Sequence, residues 1–133
     1  MHMKITRYIT LFLAISFVGI VLLEQVPGVM TPTDEPHVSL MFGLFEISLL
    51  DDITHLLSGL LGFLALSLGY KVTVKYLMLV GGYYTLDALF FVINGFMTSQ
   101  PIIDNLSLNV PHIIIAALVA IALKKSVRNI ELA

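Results

Sequence analysis

The sequence predicts an all-α integral membrane protein, a four-helix bundle running up-down-up-down with both termini in the cytoplasm. Three observations predict it: a composition too apolar for water, four apolar stretches of membrane-crossing length, and basic residues confined to alternate connections. Of the 133 residues, 58% are hydrophobic and 12% charged, against about 25% charged in an ordinary soluble domain. A soluble chain this short buries too little surface to hide so many apolar side chains. The lipid bilayer is therefore the expected partner, with residues 1–133 forming a single transmembrane domain.

Composition also excludes several chemistries. With no cysteine, disulfides, thiolate metal sites, iron–sulfur clusters and cysteine nucleophiles are ruled out. The net charge of −2 is small, and no basic run interleaved with aromatics is present, so no nucleic acid is expected as a partner.

The four apolar stretches span about residues 5–26, 49–70, 73–97 and 102–123, each close to the ~20 residues that cross a bilayer as a helix. Isolated strands would leave backbone groups unpaired in hydrocarbon, and period-two alternation is lacking. Lys4 and Arg7 precede a run of apolar residues as they would in a signal peptide, but no small-x-small cleavage site follows around residues 22–28, so helix one reads as a retained anchor.

The basic residues fall in three places: Lys4 and Arg7, then Lys71 and Lys75, then Lys124, Lys125 and Arg128. The other connections carry Glu24, Asp34, Glu35, Glu46, Asp51, Asp52 and Asp104 without a lysine or arginine. Positive charge stays inside, which orients the protein in the cell's inner (plasma) membrane with N and C termini cytoplasmic. Tyr8, Tyr70 and Tyr76 fall at the same inner boundary, where amphipathic rings settle.

The inner turn near Gly69 is tight and makes helices two and three antiparallel neighbours. The outer loop, residues 27–48, begins turn-rich and ends in an apolar segment, residues 40–47, that is expected to lie in the membrane interface. Ser48 and Asp51 form a capping-box start for helix two. Pro111 removes one backbone donor from helix four; a kink is expected there, the alternative being a span that starts at Pro111.

Polar residues inside the spans line up at three- and four-residue steps. Helix two offers Asp51 or Asp52, His55, Ser58, Gly59 and Gly62; helix three Tyr84, Asp87, Phe91, Asn94 and Thr98; helix four Asn105, Asn109, His112, Ala116 and Ala120. At about 1.5 Å of rise per residue, His55 sits roughly 10 Å from the outer helix end, and Asp87 and His112 roughly 15 Å. An ionised carboxylate at such depth costs about 2.5–3.5 kcal/mol and needs a partner; an imidazole is the obvious one. A short echo, Asx three residues before His, links Asp52 and His55 to Asn109 and His112.

The stretch GLFEISLLDDITHLLSGLLG, residues 43–62, is similar to the GLF-x-V-N…H-L-x-x-G block of the small bacterial membrane proteins grouped as domain of unknown function 4383, and Asp87, Asn94-Gly95, Asp104-Asn105 and His112 resemble its second half. Asp51 and Asp52 stand where that pattern has His and Asn. The resemblance implies a four-span bundle and assigns no activity.

Three readings of the polar constellation are open. In the first, Asp52, His55, Ser58, Tyr84, Asp87, Asn94, Asn109 and His112 are interhelical glue, at about 0.6 kcal/mol per bond, with Gly59, Gly62, Ala116, Ala117 and Ala120 allowing close approach. In the second, His55 and His112 bind a zinc or iron ion with Asp87 or Asp52, or serve as axial ligands of haem b. In the third, an oligomer, or a bundle that opens, passes protons or cations along these groups, although a monomer's apolar inner half offers no route; a homo-oligomer or a larger membrane complex is the protein partnership expected. Enzyme activity has the least support: no serine elbow and no phosphate loop are present.

Overall fold

The computed structural model describes residues 2–130. Four helices carry the fold: α1 (His2–Leu23), α2 (Leu49–Leu68), α3 (Tyr70–Met97) and α4 (Ile102–Ile130). Each packs on its neighbour in sequence, and α1 closes the ring against α4. All four are long and apolar enough to cross a membrane. Their outward faces are covered with large exposed apolar side chains such as Leu79, Phe90 and Ile103, the inverse of a soluble surface. Hydrocarbon is the solvent that such an exterior matches.

Hydroxyl groups tie the helices at the end where the basic residues gather. Thr6 of α1 and Ser126 of α4 share a hydrogen bond of 3.0 Å, and Thr73 of α3 donates to the Ala65 carbonyl of α2 at 3.0 Å. These bonds bring the start of α1, the α2–α3 turn and the end of α4 together, so Lys4, Arg7, Lys71, Lys75 and Lys124 share one end of the bundle. The side chains of His2, Lys125 and Arg128 lie outside the described residues.

The turn itself is one residue, Gly69, at φ +103°, a left-handed backbone that favours glycine. Tyr76 departs from expectation. It is buried in the bundle, and its hydroxyl donates to the Ser58 carbonyl at 2.8 Å, because helix three starts at Tyr70 and carries that ring more than a turn inside the helix.

The opposite, acidic end holds a feature that hydropathy did not predict. Residues 27–48 form a three-stranded antiparallel sheet, β1 (Met30–Pro32), β2 (Val38–Met41) and β3 (Phe45–Ser48), in the order β1-β2-β3. The apolar segment 40–47 is thus a hairpin. Met41 pairs with Phe45 across a turn in which Leu44 N–H donates to the Met41 carbonyl at 3.0 Å. Phe42 (φ 54°) and Gly43 (φ 69°) give it the two left-handed residues of a type I′ turn. Phenylalanine rarely adopts that backbone, so the hairpin lacks its usual Asn-Gly mark.

β3 runs straight into α2, and the capping box at the junction is present: Ser48 N–H donates to Asp51 at 2.9 Å, and Asp51 N–H donates to the Ser48 hydroxyl at 3.3 Å. α4 begins at Ile102 and continues unbroken through Pro111. The span does not start at the proline.

Close approach comes from glycines rather than from the alanines of α4. A Cβ added to Gly59 or Gly62 would run into Ala14 and Val18 of α1 or Tyr76 of α3, and one at Gly81 would strike Val119 of α4. Ala117 and Ala120 are exposed.

Candidate functional site

Every helix contributes one ring to a cluster in the half of the bundle nearer the acidic end. Phe17 of α1, His55 of α2 and Tyr84 of α3 stack on one another: centroids lie 5.0 Å apart for Phe17 and Tyr84, 5.8 Å for Phe17 and His55, and 6.4 Å for His55 and Tyr84. His112 of α4 packs on the other side, 5.8 Å from Tyr84 and 6.1 Å from Phe91. Phe17 and Tyr84 are fully buried, and His55 is 7% exposed. Stacked aromatic pairs of this kind contribute about 0.5–1.5 kcal/mol each beyond burial.

Asp87 sits one turn beyond Tyr84 and meets His112, with Oδ2 3.3 Å from Nδ1. The sequence expectation that this carboxylate meets an imidazole holds for His112. The contact is close without meeting hydrogen-bond geometry at Nδ1. It joins α3 to α4, the two helices with the most extensive mutual packing.

Asparagines extend the same seam. Asn105, 1% exposed, donates to the Val92 carbonyl of α3 at 2.9 Å beneath Gly95, and Asn109 donates to the Asn105 carbonyl and side-chain oxygen at 2.8 and 3.0 Å. Asn94 does not join them. It is exposed, because Gly95 is the residue of α3 that faces Asn105. Ser58 is half-buried and its carbonyl accepts from the Tyr76 hydroxyl at 2.8 Å.

Asp52 lies close to Glu24, at the end of α1. Burial, together with Asp52 and Asp51, pushes the Glu24 carboxyl up to about 7. Glu24 follows the last residue of α1, so in sequence it reads as one more solvated acid; its pairing depends on the α1–α2 contact.

The buried hydroxyls Thr6, Thr10, Thr73 and Ser126 were also hidden from sequence reading. Each bonds to a carbonyl one turn back or to another helix, which is how threonine and serine enter apolar helices at little cost.

The arrangement bears on the ligand readings. Tyr84 packs against both imidazoles, 6.4 Å from His55 and 5.8 Å from His112. Among the described residues, no group of three or more His, Asp or Glu side chains is arranged to hold a metal ion. Chemically, the site sets one carboxyl beside one imidazole and stacks rings around them.

No curated protein and no solved structure matches the chain. The model of the family described as Domain of unknown function (DUF4383) matches residues 7–124, which takes in α2, α3, most of α1 and α4, the sheet and the ring cluster, and the chain therefore belongs to that family.

Proposed function

We propose that the polar cluster is a lock that holds a four-span protein of the inner membrane in one helical arrangement, with both termini in the cytoplasm. One observation carries this reading: a ring from each of the four helices meets around Tyr84, and the contact of Asp87 with His112 lies at its edge. Hydrocarbon makes that pair worth forming. An intramembrane carboxylate without a partner is costly, whereas a polar contact between spans contributes on average about 0.6 and at most about 1.7 kcal/mol. The orientation is supported by the gathering of Lys4, Arg7, Lys71, Lys75 and Lys124 at one end and of Glu24, Asp51 and Asp52 at the other.

A zinc, iron or haem b site on His55 and His112, with Asp87 or Asp52, has weaker support, since among the described residues no three such side chains are grouped to hold a metal ion and both imidazoles pack on Tyr84. The two readings separate in a double-mutant cycle on the full chain in mild detergent. Asp87→Asn and His112→Gln should both fold, with a coupling of about 0.6–1.7 kcal/mol in unfolding by sodium dodecyl sulfate. Stoichiometric zinc or iron after metal-replete expression, or a Soret band, lost in His55→Ala and His112→Ala, would overturn the lock and establish the ligand site.

A further inference from the structure

At the basic end, a groove of about 400 Å³ opens beside α1, lined by Lys4, Arg7, Tyr8 and Leu11 with Leu66 of α2. The four α1 residues recur at three- and four-residue steps and so form one stripe down the helix. From Lys4 to Leu11 the stripe descends about 10 Å. Its chemistry changes in order along that distance: two cations, then a phenol, then aliphatic side chains.

We propose that this groove binds one anionic phospholipid, with the headgroup phosphodiester on Lys4 and Arg7 and the start of an acyl chain against Leu11 and Leu66. Both cations are exposed, and among the described residues neither pairs with a carboxylate. A guanidinium offers a planar fork that matches phosphate oxygens, while the ammonium adds a point charge. Tyr8, 65% exposed, has the amphipathic ring expected at the level between headgroup and hydrocarbon. A phospholipid presents phosphate, ester and alkyl chain in that same order. Basic pockets between spans take anionic headgroups by this combination of charge and depth.

The remaining cations of this end serve as an internal control. Lys71 and Lys75 are exposed and carry the same charge at the same end, but they do not line the groove. A site predicts that the two pairs differ; a diffuse surface potential predicts that they do not.

The test uses the full chain in mild detergent, with retained lipid counted by native mass spectrometry against phosphatidylglycerol and phosphatidylcholine of the same acyl chains. Phosphatidylglycerol should be retained in preference, and Lys4→Gln with Arg7→Gln should lower its affinity by about 30-fold, from the loss of two near-surface cations. Lys71→Gln with Lys75→Gln should leave retention unchanged. Leu66→Trp, which fills the groove without altering charge, should release the lipid; Leu11→Trp makes the same test from α1 if that variant does not fold. Equal retention of phosphatidylcholine, equal loss in the Lys71 and Lys75 pair, or displacement of the lipid by inorganic phosphate would each overturn the site.

Discussion

Gly95 and Asn105 offer the sharpest test of how the α3–α4 seam is built. A methyl group added at Gly95 would lie 2.5 Å from Cγ and 2.9 Å from Oδ1 of Asn105, well inside contact distance, and Asn105 is 1% exposed with nowhere to retreat. Overpacking of this kind costs about 1–3 kcal/mol. Displacing the amide also breaks its 2.9 Å bond to the Val92 carbonyl, adding roughly 0.6 kcal/mol. Gly95→Ala should therefore destabilise by about 2–3 kcal/mol. Asn105→Ala alone loses the bond to Val92 and one acceptor of Asn109, about 1 kcal/mol. In the double variant the new methyl occupies the space that the amide has left. The two effects should then fall short of additivity by about 1–2 kcal/mol, inside the range seen for residues in contact. The assay is reversible unfolding in mixed micelles of sodium dodecyl sulfate, followed by helical ellipticity. Gly82→Ala is the control, because nothing lies within 4 Å of the position its methyl would take. Strict additivity, or a Gly95→Ala variant as stable as Gly82→Ala, would refute the account of the seam.

Two further outcomes follow from the connections. The Glu24 carboxyl is held up to about 7 against an ordinary value of 4.5, by burial first and by Asp52 second, so the folded state keeps a proton that the unfolded chain releases. The Glu24 contribution to stability should be greatest below about pH 4.5, decline as pH rises from 4.5 to about 7 and level off above it, and Glu24→Gln should remove that component of the decline in a pH series of unfolding curves. At the α2–α3 turn, Gly69→Ala must hold a Cβ at φ +103°, a backbone region that costs a non-glycine residue about 1–3 kcal/mol; an unchanged unfolding midpoint would show that the turn relaxes freely.

The helices were legible because their signal is a single quantity, apolar length, that bilayer thickness converts directly into architecture. Ser48 and Asp51 announced the start of α2 for a similarly local reason: a capping box is closed by residues three apart. What escaped reading depends on partners distant in sequence or on an unusual residue in a standard turn. Phe42 concealed the hairpin, since the left-handed position it occupies is normally marked by asparagine. Glu24 and Asp52 lie 28 positions apart in sequence, and only the packing of α1 on α2 makes two solvated acids into a pair. Asn94 misled for the opposite reason. Helical spacing placed it on the face of Asp87, but Gly95 beside it is the residue that meets α4. Within the cluster, the meeting of Asp87 with a histidine was readable from helix face and depth, whereas the packing of Tyr84 on both imidazoles was not.

That meeting also constrains how the protein enters the membrane. Asp87 lies within about one turn of the midpoint of α3, Tyr70–Met97, where a carboxylate costs about 2.5–3.5 kcal/mol on insertion. The Val, Leu, Ile and Phe residues of α3 return roughly 4–7 kcal/mol by the same measure, so Asp87 cancels about half of the drive of its own helix. Only residues 98–101 separate α3 from α4, and α4 carries the partner His112. An α3–α4 hairpin that inserts as one unit brings the imidazole to the carboxylate before hydrocarbon closes around it. In a glycosylation-mapped insertion assay, Asp87→Leu should improve insertion strongly when α3 is offered alone and only weakly when the hairpin is offered whole. Adding His112→Leu to the hairpin should restore the large effect, because Asp87 is again without its counterpart. An equal gain from Asp87→Leu in the helix and in the hairpin would mean that His112 does not relieve the cost of Asp87 during insertion, and the two spans would then have to be treated as entering independently.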